Sequence, residues 1–260
     1  MPRITHLNCG WLHKPPMPPA CCHCLLVETE STVVLIDAGI GLHDVEDPEG
    51  RIGRDAIEFA GFHFHADLTA VRQLKARGIE PDAVEHIVLT HCDSDHVGGL
   101  SDFANAQVHV AAEEKQAVDD GNPRYTTNQF AHGPNWQTYH ENDCEFLDLP
   151  ARRIGAIEGI DIRLVPLFGH TAGHCGVAVR DGEQWWLHVG DAYYISNQLD
   201  DRPHPVEEFA TLAAVDNDQR RESLQKLRSL VASHGGRLTY LGYHDVNELP
   251  ADLRTLAKPA

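Results

Sequence analysis

In Glu85-His86-Ile87-Val88-Leu89-Thr90-His91-Cys92-Asp93-Ser94-Asp95-His96-Val97-Gly98-Gly99-Leu100, a short apolar run is followed at once by four potential metal ligands. Ile87 to Leu89 reads as a buried strand bounded by polar residues. His91, Asp93, Asp95 and His96 then fall within six residues. A strand end fixes side-chain direction, and a tight loop there can aim several donors at one point. Gly98 and Gly99 allow close backbone approach where a Cβ would collide. The plain alternative is a polar loop whose His and Asp residues cap the next helix, a common arrangement. The stretch alone does not separate the two.

Upstream, residues through Trp11 and Leu12 read as a first strand. Lys14-Pro15-Pro16-Met17-Pro18-Pro19 follows as a stiff extended loop. Cys22 to Glu28 and Val33 to Gly39 form a hairpin across Thr29–Thr32. The cluster Cys21-Cys22-His23-Cys24 invites a zinc reading, but alternating side chains in a strand point to opposite faces and cannot all converge. Core burial is the better reading for these cysteines. Residues His43 to Ala66 read as irregular, with a turn at Asp47-Pro48-Glu49-Gly50. His63 and His65 are taken as structural. Asp67 is expected to cap a helix from Leu68 to Arg77 that stops at Gly78.

Downstream, a short helix is expected over Val97 to Phe103, a strand over Gln107 to Ala111 and a helix over Glu113 to Val118. Residues 119–145 are polar and aromatic without periodicity, which suits either a lid or a surface excursion packed by its own aromatics. Ile160 to Leu167 reads as a strand, and Cys175 to Arg180 with Trp185 to Val189 as a hairpin across Asp181-Gly182. The helix Asn217 to Ser233 shows Leu224, Leu227, Leu230 and Val231 on one face. A last strand, Leu238 to Leu241, precedes a short terminal helix. Strands and helices interleave in both halves without a linker, so residues 1–260 are read as one α/β domain of two sheets with helices outside.

Length and composition narrow the function. The chain has 260 residues, 39 acidic against 21 basic side chains, and a formal net charge of −18. Such a surface repels phosphate backbones, so no nucleic-acid partner is expected. No apolar run approaches the roughly 20 residues of a membrane helix, and the N-terminus lacks a signal-peptide pattern. The seven cysteines have no framework spacing and fit a reducing compartment. A cytoplasmic protein without a membrane partner is expected. Oligomeric state is not legible.

Three further strand ends place a ligand-type residue beside glycine: His174 after Gly173, Asp191 after Gly190, and His244 close behind Gly242. With His91, Asp93, Asp95 and His96 these make seven N and O donors, suited to zinc, manganese or iron. One such strand end is weak evidence, and four in one chain are strong evidence.

These motifs give the chain its resemblance. The run His91-Cys92-Asp93-Ser94-Asp95-His96-Val97-Gly98-Gly99 resembles the H-x-H-x-D-H…G-G pattern of metallo-β-lactamase superfamily hydrolases, in the branch of glyoxalase II and the N-acyl homoserine lactonases. Gly169-His170-Thr171-Ala172-Gly173-His174, Gly190-Asp191 and Gly242-Tyr243-His244-Asp245 match its later motifs, and Val34 to Gly39 its early strand. The resemblance implies an αββα sandwich of two mixed β-sheets with two divalent metal ions in a cleft. By position, one ion would take His91, Asp93 and His174. The other would take Asp95, His96 and His244, with Asp191 bridging. His170 matches a position read as supporting rather than ligating.

Asp93 departs from the pattern, which has histidine there. A third carboxylate would weaken the first metal as a Lewis acid and favour manganese or iron over zinc. The implied activity is hydrolysis of a small ester, lactone, thioester or amide by a metal-bridged hydroxide. Asp95 is a candidate proton acceptor, and Tyr194 resembles the tyrosine that lactonases place beside the substrate carbonyl. The alternative is a di-iron or mono-iron redox enzyme on the same fold, motivated by Asp93.

Overall fold

The structure, a computed structural model, describes residues 1–200 and 204–259. Its first sheet contains β1 (Arg3–Leu12), β2 (Ala20–Glu28), β3 (Val33–Ile36), β4 (Phe62–His63), β5 (His86–Val88), β6 (Gln107–Ala111) and β7 (Asn135–Tyr139), in the spatial order β4-β1-β2-β3-β5-β6-β7. The second contains β8 (Cys144–Phe146), β9 (Leu149–Arg153), β10 (Ile162–Pro166), β11 (Cys175–Asp181), β12 (Gln184–His188) and β13 (Leu238–Leu241), in the order β13-β12-β11-β10-β9-β8. Both sheets are mixed. β3, β5, β6 and β7 run parallel, as do β12 and β13, and the other pairings are antiparallel.

The two sheets face each other through one apolar layer. Leu25, Val27, Val34, Ile36 and Val88 from the first meet Ile162, Leu164, Val177 and Val179 from the second. The period-two alternation of each strand sends its other face outward. There Leu26, Leu35 and Ile87 pack under Val71, Leu74, Leu100 and Phe103. On the far side Val165, Ala178 and Leu187 pack under Leu224, Leu227 and Leu230 of the helix Asn217–His234. This is the αββα sandwich expected from the sequence. No helix among the described residues is long and apolar enough to cross a membrane.

Cys22 and Cys24 face the outer layer, Cys21 packs beside Trp11, and all three are buried. None joins a group of metal donors among the described residues.

Three local expectations need correction. Residues 43–66 contain three short helices, Leu42–Glu46, Pro48–Arg51 and Arg54–Ala60. Asp47, expected in a turn, caps the second by accepting from the Gly50 N–H, with Pro48 in the first helical turn where its missing N–H costs nothing. The next helix runs Ala70–Ala76 with Thr69, not Asp67, at its N-cap. The segment 119–145, expected without regular structure, carries some: Phe130 packs on Trp136, and Arg124 reaches Asp93. It supplies β7, which extends the first sheet at its edge, and the 3₁₀ turn Thr127–Phe130.

Candidate metal centre

Parallel pairing decides where the donors meet. β3 and β5 run side by side, so Asp37, just past one, reaches Thr90, just past the other. Asp37 Oδ1 accepts from the Thr90 N–H at 2.8 Å, and Oδ2 from the Thr90 hydroxyl at 2.8 Å. In the second sheet β12 and β13 are parallel, so the segments carrying Asp191 and His244 leave together, with Tyr243 N–H donating to the Gly190 carbonyl at 3.1 Å. The sheets are tied at this edge by Cys175 N–H to the Thr90 carbonyl, 2.9 Å, and His23 N–H to the Tyr243 carbonyl, 3.0 Å. Strand ends from both sheets therefore face one cleft.

Two groups of buried donors result, His91–His170–Asp191 and Asp95–His96–His244, with the candidate ligand atoms of each within 4.8 Å of one another. Asp191 spans the two. Its Oδ2 lies 3.4 Å from His170 Nε2 and 3.2 Å from His244 Nε2, and its Oδ1 lies 3.5 Å from His96 Nε2. Asp95 Oδ2 is 3.6 Å from both His96 Nε2 and His244 Nε2. Asp93 Oδ2 sits 3.2 Å from His91 Nε2 and 3.0 Å from His170 Nε2. A tetrahedral ion with bonds of 2.0–2.1 Å separates its donors by about 3.3 Å, so these spacings fit one.

The hydrogen-bond pattern supports the same reading. His91 Nε2, His96 Nε2, Asp95 Oδ2 and Asp191 Oδ1 are buried without a hydrogen-bond partner, an expensive state unless a ligand completes them. Meanwhile the opposite ring nitrogens are engaged. His96 Nδ1 lies 2.9 Å from Asp37 Oδ2, His91 Nδ1 3.0 Å from the Thr90 hydroxyl, and His244 Nδ1 2.9 Å from the Cys21 carbonyl. Such outer partners fix ring orientation and turn Nε2 toward a metal. Burial opposes charge on His96, yet Asp95, Asp37 and Asp191 outweigh it and hold its imidazole well above its ordinary range.

One predicted donor is elsewhere. His174 donates from Nδ1 to the Leu167 carbonyl at 2.9 Å and accepts at Nε2 from the Asp191 N–H at 2.9 Å, so both nitrogens are consumed. Gly190, with φ of 55°, lies so close that a Cβ there would come within 2.6 Å of that Nε2. His170 takes the facing position instead. The reason is the loop that both share. Leu167 N–H bonds to the His174 carbonyl at 3.0 Å, closing the loop at its base. His174 is locked there, while His170, at the tip, projects into the cleft.

Three further residues matter that the sequence reading did not single out. Arg124 grips Asp93 with Nε on Oδ1 and a terminal nitrogen on Oδ2, each at 2.5 Å. Burial raises the Asp93 carboxyl, but Arg124, His91 and His170 together outweigh it and hold the group well below its usual range. Glu114, fully buried, accepts from Cys92 N–H (2.8 Å), the Tyr125 hydroxyl (2.8 Å), the Thr171 hydroxyl (2.7 Å) and Gly173 N–H (3.0 Å), joining the two loops that carry His91 and His170. Tyr243 stacks on His96 with ring centroids 3.7 Å apart and donates to the Asp95 carbonyl at 2.6 Å. Arg124 and Glu114 carry no sequence signal, since each acts across a contact made only by the fold.

Tyr194 lies over the cluster, its ring stacked on His244 at 5.3 Å and its hydroxyl 3.5 Å from His170 Nδ1. Burial, then Asp191 and Asp93, push its phenol well above the ordinary value, so it stays a donor. Beside it opens a cavity of about 720 Å³ whose wall includes Met17, Phe59, Tyr194, Val206, Phe209 and His244.

Comparison with known proteins bears on the family and the fold. Residues 19–233 match the family described as the metallo-beta-lactamase superfamily. A protein of Mycobacterium tuberculosis named a probable metallo-hydrolase is 37% identical over 256 residues, covering 94% of this chain and 80% of its own. The N-acyl homoserine lactonase AttM of Azorhizobium caulinodans is 26% identical over 84% of this chain and 79% of its own. Among solved structures, an N-acyl homoserine lactone hydrolase with N-hexanoyl-L-homoserine bound at its catalytic metal centre aligns with a TM-score of 0.72 at 20% identity, covering 94% of each chain.

Proposed function

The chain belongs to the metallo-β-lactamase superfamily and is a metal-dependent hydrolase; from that premise we propose that it holds two zinc ions and cleaves a small ester or lactone with an apolar acyl part. His91, Asp93 and His170 would hold one ion, Asp95, His96 and His244 the other, and Asp191 would bridge. The observation that carries this is the set of four buried donor atoms without partners, one of them on the shared carboxylate Asp191 and three around it. Held by these residues, such ions would supply Lewis acidity and lower the pKa of a bound water. The expectation of manganese or iron rested on the carboxylate donor at Asp93; Arg124 offsets its charge and leaves it an oxygen donor, so zinc against iron is decided by metal analysis of the purified protein.

The chain's own groups set the rest. Tyr194, protonated and at the junction of cavity and donors, gives a hydrogen bond to the substrate carbonyl oxygen as charge develops on it. Asp95 is the proposed proton acceptor, as a carboxylate within the donor cluster itself. The apolar cavity beside Tyr194 receives the acyl chain, as suits likeness to lactonases. Both sheets feed one site, so we read residues 1–260 as one domain. The test is a screen of zinc-reconstituted protein against lactones, thioesters, phosphoesters and β-lactams. Lactones with longer acyl chains should give the highest kcat/KM, and turnover confined to phosphoesters or β-lactams would sink the substrate reading.

A further inference from the structure

Asp93 differs from the other two carboxylates of the cluster in what balances it. The side-chain charges facing Asp95 and Asp191 are histidines. Asp93 instead meets a fixed cation through both oxygens, in the paired geometry that makes arginine–carboxylate contacts strong and directional. Arg124 is itself anchored, donating to the Ala213 carbonyl at 2.6 Å and receiving a local tether from Asn122 Oδ1 to its backbone N–H at 3.0 Å. The grip leaves Asp93 Oδ2 facing His91 Nε2 and His170 Nε2.

We propose that Arg124 is a positioning residue that makes Asp93 an electrically neutral oxygen donor, equal in net charge to a histidine, and aims its Oδ2 at the first metal position. The inference rests on the two-metal reading above. Its consequence is that positions 93 and 124 are one unit. A histidine at 93 would leave the guanidinium without its counter-charge, 3.0 Å from His170 Nε2 and facing a divalent cation. Such a histidine is tolerated only when the cation at 124 is removed as well.

The experiment is calorimetric titration of zinc chloride into metal-free wild type, Asp93→His, Arg124→Gln and the double variant, with circular dichroism to verify folding. Asp93→His alone should weaken the first-site affinity about tenfold or more, and adding Arg124→Gln should recover about tenfold. In the wild-type Asp93 background Arg124→Gln should give no such gain. The same factor in both backgrounds, within about threefold, would overturn the proposal and leave Arg124 as a strut. Should Arg124→Gln fail to fold, Arg124→Lys replaces it. Asp93→His with Arg124→Lys should then stay as weak as Asp93→His, because the cation remains, and recovery would overturn the proposal. Wild type that binds no zinc would sink the two-metal reading and this inference together. Two bound zinc ions with additive effects would sink this inference alone.

Discussion

His96 and His244 have their far nitrogens held by the Asp37 carboxylate and the Cys21 carbonyl, both buried, whereas His170 has only the Tyr194 hydroxyl at 3.5 Å and Asp93 depends on Arg124. One half of the donor cluster is thus built on strand ends and one helical turn, inside the core. The other keeps one strand-end donor, His91, and takes the rest from a loop tip and from Asp93, which is held by a side chain 31 residues away in sequence. The difference teaches where each half gets its rigidity: backbone register in the first case, side-chain contacts across loops in the second. The second metal position should accordingly survive damage to the first, and not the reverse.

The largest effect should come from the residue both halves share. Asp191→Ala removes the carboxylate that spans both halves and leaves Asp95 as the carboxylate that His96 and His244 still share. We expect zinc content to fall from about two towards none, with kcat/KM down at least about a thousandfold, or about 4 kcal/mol of barrier. Retention of one tightly held ion would show that the halves are more independent than this geometry implies.

His170→Ala should damage only the loop-built half. Metal analysis should give about one zinc per chain, with activity reduced on the order of a hundredfold. Tyr194→Phe should lower kcat about a hundredfold as well, the scale of one lost oxyanion donor, with both ions still bound. An unchanged rate on every active substrate would return Tyr194 to a packing role. Asp37→Asn probes the core-built half from outside: His96 loses its charged partner, and second-site zinc affinity should drop about 10- to 100-fold. Equal weakening of both sites in that variant would break the comparison.

The same contrast explains what could be read in advance. Strand periodicity and the residues at strand ends located Asp95, His96, Asp191 and His244, because register alone places them. The β3 and β13 spans were legible for the same reason. Helices as short as Pro48–Arg51 leave too few turns for a 3.6-residue pattern, and β7 packs only as an edge strand, so both were hidden. Arg124 was invisible because a bidentate contact with Asp93 depends on how the 119–145 segment folds over the cleft. Gly169-His170 and Gly173-His174 posed a different difficulty. Two histidines, each after glycine, are equivalent as sequence, and only loop closure at Leu167 and His174 tells them apart.

The smallest effect on chemistry should come from His174→Ala, and it decides between those two histidines. His174 is fully buried and spends one nitrogen on the Leu167 carbonyl and the other on the Asp191 N–H. Removing the ring deletes two hydrogen bonds and opens a cavity, which should cost about 2–4 kcal/mol. In a chain of this size that lowers Tm by roughly 5–12 °C. No donor faces the cleft from this ring, so zinc should stay at about two per chain. Activity should fall less than about tenfold, through slackening of the Asp191 backbone rather than loss of a ligand. The position-based reading, with His174 as ligand and His170 in support, predicts the reverse pattern: one zinc in His174→Ala and two in His170→Ala. Metal analysis of the two variants side by side separates these outcomes even if both proteins are inactive. The stability difference is a second, independent check, because a ring holding two backbone segments should cost more to remove than one projecting from a loop tip.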